Sequence, residues 1–188
     1  MFWEHGYEPT SIAALTEAMG IRPASLYAAF GDKRRLFNEA VARYQATHGA
    51  FSRAALAEEP TARGAIERML REFAVAYTDP AHPPGCLVIS GAINHGPDSA
   101  EVEEELREHR RRAHEAIAER IRGGVNSGEL PEDTDTEALA DFTAAVIRGM
   151  SRSAQDGATT EELLKVAELA MRAWPRERSG HSQVRPGA

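Results

Sequence analysis

Apolar residues return along this chain every three or four positions, the spacing that lines one face of an α-helix. Ile12, Leu15 and Met19 form the first such stripe, and Leu26 with Phe30 the second. Gly20 stands between them, where a positive φ costs glycine no steric strain. Pro23 suits the first turn of the second helix, whose leading N–H groups have no partner to lose. Thr10 is placed to cap the first helix with its hydroxyl. Asp32 is placed to cap a third helix, which carries Leu36, Phe37 and Val41. The stretch is read as helix, tight turn, helix, with a third helix directly behind.

The same period runs on downstream. Residues 61–78 set Ile66, Met69, Leu70, Phe73 and Tyr77 on one face. Residues 79–85 hold three prolines and a glycine and cannot sustain a helix. Residues 86–96 are apolar on nearly all sides, which predicts a short buried helix. A long charged helix is expected over 99–122, with Val102, Leu106, Ala113, Ile117 and Ile121 as its stripe. Gly123, Gly124, Gly128 and Pro131 mark its end. Thr134 with Glu137, and Thr159 with Glu162, have the spacing of capping boxes that start two more helices. The first carries Leu139, Phe142, Val146 and Met150; the second carries Leu163, Val166, Ala167, Ala170, Met171 and Trp174. The tail, 175–188, is polar and without period, and is expected to be disordered. No β-type alternation appears. The fold class is all-α: a head over 1–48, with its motif at 11–30, and a helical body over 60–174.

Helix, turn, helix is the arrangement that sets its second helix in the major groove of DNA. Charge first argues against it, because the net charge is −7. Divided, residues 1–44 carry five basic and five acidic side chains, so the acidic excess lies wholly in the body. Phosphate affinity depends on the local face. Arg22, Pro23, Ala24 and Ser25 open the second helix, where base edges are read, and Arg22 can donate twice to guanine. Tyr27, Lys33, Thr10 and Ser11 are the candidate phosphate contacts. The alternatives are a core tyrosine at 27 and a phosphate contact without base reading at Arg22.

Other chemistry is sparse. Cys86 is the single cysteine, so no disulfide forms within the chain. It reads as a small buried hydrophobe, with a redox or electrophile sensor as the alternative. His82, His95, His109 and His114 match no compact ligand spacing, so no metal and no cofactor is expected. No nucleophile elbow, phosphate-binding glycine motif or paired metal histidines points to an enzyme. No apolar run approaches a membrane span, and a cytoplasmic location is expected. Arginine supplies twenty of the 22 basic residues, which suggests GC-rich bacterial coding DNA.

Thr10-Ser11, Leu15 through Gly20, Leu26-Tyr27 with Phe30, and Lys33 with Leu36 keep a spacing that resembles the DNA-binding domain of TetR-type (TetR/AcrR) regulators. Thr16 stands where that pattern usually has alanine, and Ala29 where it often has histidine. The resemblance implies a homodimer on near-palindromic double-stranded operator DNA, more often a repressor than an activator. It implies a body that binds a small-molecule effector, with Phe73, Tyr77, Cys86, Ile89, Ile93 and His95 as candidate pocket residues. It makes the last two helices the subunit interface, through Leu139, Phe142, Val146, Met150, Leu163, Val166, Ala170 and Met171. The segment from Phe2 to Tyr7 matches the end of a helix that opens the family's head. Most of that helix is thus expected to be absent and the gene to start upstream, leaving apolar surface bare over Leu15, Leu26 and Leu36. The rival reading is a helical effector-binding or interaction module without DNA binding.

Overall fold

Ten α-helices follow one another through residues 1–175 without Asn94, the part that this computed structural model describes. They are α1 (Phe2–His5), α2 (Ile12–Met19), α3 (Pro23–Phe30), α4 (Lys33–Ala46), α5 (Ala50–Glu58) and α6 (Ala62–Tyr77). After a proline loop come α7 (Leu87–Ser90), α8 (Ala100–Asn126), α9 (Thr136–Gln155) and α10 (Thr160–Ala173). No strand occurs among the described residues. Residues 176–188, most of the tail expected to be disordered, lie outside them.

Local chemistry sets the ends of the head helices. The Ser11 hydroxyl, rather than that of Thr10, caps α2 by accepting from the Ala14 amide at 3.1 Å. Gly20 ends α2 in the left-handed region at φ 64°. Asp32 caps α4, accepting from the Arg35 amide at 2.8 Å. Leu15, Leu26, Phe37 and Val41 form the buried centre of the head, together with Phe2. The Phe2 and Tyr7 rings each meet Phe37 edge-on with centroids 5.1 Å apart. The expectation of bare apolar surface therefore fails at Leu15 and Leu26, which are buried, while Leu36 is half-buried.

In the body, α6 lies at the centre, packed by α5, α10, α9 and α8. Helix α5 has only Ala55 fully buried, too weak a stripe to be read from sequence. The buried helix expected over 86–96 is one turn, α7. The carbonyl that would continue the helix, that of Val88, accepts from Arg110 of α8 at 2.9 Å, and the Gly91 carbonyl accepts from the Tyr7 amide at 2.7 Å, so neither serves a second turn. Asp135, not Thr134, caps α9, by accepting from the Ala138 amide at 3.0 Å. The box at Thr159 and Glu162 forms as its spacing predicts.

Helix α8 runs through Gly123 and Gly124 to Asn126, and only Gly128, at φ 78°, belongs to a turn. The two helical glycines have opposite reasons. A Cβ on Gly124 would sit 2.8 Å from the Cβ of Ala62, so its lack of a side chain lets α8 meet the start of α6. A Cβ on Gly123 would meet nothing within 4 Å. Gly124→Val is therefore expected to cost about 1–3 kcal/mol through overpacking. Gly123→Ala should stabilise by about 0.5–1 kcal/mol, since alanine loses less backbone freedom in a helix. Urea unfolding of the two variants checks the opposite signs.

Candidate nucleic-acid interface

Helix α3 buries Leu26 against the head and half-buries Phe30, leaving the rest of its surface to solvent. Arg22, Pro23, Ala24 and Ser25 are all exposed at its start. Arg22 occupies the N-cap position in extended backbone, and its side chain makes no capping bond, so the guanidinium is left to reach outward. Tyr27 is 48 % exposed, which removes the core-tyrosine alternative. The site residues on α3 thus share one accessible element beside the exposed Ser11.

Two expected phosphate contacts are placed differently. Thr10 is 1 % exposed, and its hydroxyl donates to the Gly6 carbonyl at 2.6 Å, so it serves the turn after α1. Lys33 is half-buried, with its Nζ 4.2 Å from the centre of the Tyr7 ring and donating to the Glu8 carbonyl at 3.4 Å. Burial lowers its pKa, and the Glu8 charge partly opposes that. Its ammonium is engaged within the head.

The head is fastened to the body by polar contacts. Arg34 on α4 donates through Nε to Glu105 of α8 at 3.0 Å and pairs with Glu101 one turn earlier. The Glu8 carboxyl is held below its usual range by a hydrogen bond from Ser99 and by the Gly96 backbone. Sequence spacing gave no sign of these pairs, which join residues far apart in the chain.

The pocket residues do not gather in one place. Phe73 meets the Phe51 ring edge-on and the Tyr77 ring at a tilt, with both centroid separations at 4.9 Å. Cys86 is buried where the Tyr44 hydroxyl donates to its sulfur at 3.3 Å, and burial pushes the Tyr44 and Tyr77 phenols up. Ile89 is half-buried, and Ile93 and His95 face outward because the chain leaves the helical path after Ser90. A cavity of about 490 Å³ lies between head and body instead. Trp3, Tyr7, Pro9, Pro83 and Arg152 line it, and of the expected residues only Ile93 does. Among the described residues, no group of three or more His, Cys, Asp or Glu side chains is arranged for a metal.

The interface candidates divide as well. Met150, Leu163, Ala170 and Met171 are buried in the chain's own core, because the inner faces of α9 and α10 pack on α6. Phe142 and Val166 are 37 % and 42 % exposed, with Leu139 and Val146 half-buried beside them. Leu169, absent from the expected set, is 65 % exposed. On α9 the outward face continues through Ala138, Ala145 and Gly149, and a Cβ on Gly149 would meet nothing within 4 Å.

Known proteins share this arrangement. Residues 1–40 match the family described as bacterial regulatory proteins, tetR family, and residues 63–168 match the tetracyclin repressor-like C-terminal domain. The HTH-type transcriptional repressor ComR of Escherichia coli is 34 % identical over 176 residues, 93 % of this chain and 84 % of ComR. A solved structure of the TetR family regulator CifR, a cysteine mutant in complex with 26-base-pair operator DNA, is 46 % identical with a TM-score of 0.89. That match covers 93 % of this chain and 91 % of CifR. A TetR transcriptional regulator from Rhodococcus sp. RHA1 is 36 % identical, with a TM-score of 0.66 over 93 % of each chain. The relatives are transcriptional regulators. With both its head and most of its body matched, the chain belongs to the tetR family of bacterial regulatory proteins.

Proposed function

We propose that this protein is a transcriptional repressor that holds operator DNA as a homodimer and releases it when a small molecule binds. The observation that carries this reading is α3, an exposed helix held on a buried head core at the position where the motif presents its DNA-reading helix. The outward apolar face of α9 and α10 supports the dimer, whose symmetry would place two copies of α3 in successive major grooves about one helical turn apart. The cavity between head and body supports the effector, since about 490 Å³ falls within the range of small-molecule sites. A ligand that binds better when the head is turned away from DNA shifts the population and frees the operator. No catalytic step belongs to this reading. The place of action is the cytoplasm, where the operator lies, and no helix among the described residues is long and apolar enough to cross a membrane.

A gel shift against DNA flanking the protein's own gene tests the reading. Tyr27→Phe is expected to weaken binding similarly across sequences, since a phenol hydroxyl at the helix flank meets phosphate. Arg22→Ala should also relax base preference, by about 1–3 kcal/mol of lost discrimination. Binding to a randomised operator library separates the two effects. Unchanged affinity and preference in both variants would reject α3 as the reading helix.

A further inference from the structure

We propose that α3 reads its half-site chiefly through thymine methyl groups, met by Ala24 and Ala28, with Arg22 as its long hydrogen-bonding reader. The inference rests on the DNA-binding reading above and names the chemistry of the sequence that is bound. Successive residues of an α-helix point about 100° apart. Leu26 is buried and Phe30 half-buried, so these two mark the inner side of α3. Ala28 falls opposite them, and Ala24 lies one turn earlier on the same outer line. Tyr27 flanks that line on one side and Ser25 on the other, and all four residues are exposed.

The centre of the reading face therefore has no side-chain hydrogen-bonding group. A methyl side chain cannot address the donors and acceptors of guanine, cytosine or adenine. In the major groove its apolar partner is the C5 methyl of thymine. Short side chains also let the helix come close to the groove floor, within the 4.0–4.5 Å or so that apolar contact needs. Ser25 and Tyr27, on the flanks, face the groove walls where phosphates lie. Arg22, ahead of the first turn and uncommitted to capping, is the group that reaches guanine. A half-site with one guanine beside a thymine-rich step follows.

Selection from a random duplex library with the full-length protein supplies the operator. It is then resynthesised with deoxyuridine for thymidine at single positions, a change that removes only the methyl group. At one or two positions per half-site, affinity should fall about fourfold, the factor for burying one methyl-sized group. At those positions a 5-methylcytosine·guanine pair should bind more tightly than a cytosine·guanine pair. In Ala24→Gly with Ala28→Gly the uridine penalty should vanish. Because each comparison uses one protein on two DNAs, any loss of folded fraction cancels. Equal binding of thymidine and deoxyuridine operators at every position would overturn the inference while leaving the repressor reading intact. A library from which no sequence is selected would overturn the reading beneath it.

Discussion

Phe142→Glu and Val166→Glu are each expected to give a folded monomer whose hold on a palindromic operator falls at least about a hundredfold. Both side chains are partly exposed at the outer face of the single chain, so a carboxylate there can turn to water and the protomer keeps its fold. In the dimer the same carboxylate would be stripped of water with no cation supplied, a penalty of several kcal/mol by the usual scale for a buried unpaired charge. Losing the partner then removes the gain from binding two half-sites as one unit. Met150→Glu is the contrast. It is buried among the chain's own helices and should unfold the protomer instead of dissociating it. Light scattering gives the masses and circular dichroism the fold. A wild-type protein that is monomeric at micromolar concentration would show that the α9–α10 face serves some other purpose.

The second large effect is expected at Gly85, just before the one-turn helix α7. Its φ is +78°, a region that disfavours any side chain, and a Cβ there would lie 2.8 Å from the Ser151 carbonyl oxygen. The surroundings leave little room to give. The Gly85 amide donates to the Tyr77 carbonyl at 2.9 Å, and the Cys86 amide donates to the Ser151 hydroxyl at 3.0 Å. Gly85→Ala should thus combine backbone strain with a clash against main chain, a loss of about 3 kcal/mol or more. Gly20→Ala shares the positive φ, yet its Cβ would meet nothing within 4 Å, so only the strain of about 1–2 kcal/mol applies. Urea midpoints distinguish the two. Equal losses would mean that the contact with α9 is not fixed in solution.

What was legible in sequence, and what was not, follows from how far each feature reaches. Helices α2, α3 and α4 were readable because period, turn glycine and caps all lie within one short stretch. The cap of α2 fell one residue off because Thr10 and Ser11 are both competent, and only the bond from Thr10 to Gly6 decides between them. Gly124 reads as punctuation in the sequence because a glycine that admits a neighbouring helix carries the same letter as one that ends its own. The stripe from Leu139 to Met150 reads as one interface in the sequence, although a period of 3.6 says which face is apolar and not which chain covers it. The cavity escaped altogether. Its walls join Trp3 and Tyr7 to Pro83 and Arg152, and no local spacing relates them.

Helix α7 has a mechanical consequence. One turn long, it starts beside Cys86, which touches the buried Tyr44 hydroxyl, and runs into Gly91, whose carbonyl is bonded to the head at Tyr7. A single turn has too few hydrogen bonds to hold itself, so its place is set by what anchors its two ends. Both of its ends therefore meet the head, at Tyr44 of α4 and at Tyr7, and Tyr7 lies against Phe37. Residues 86–91 are thus a splice that ties the body's proline loop to two separate helices of the head.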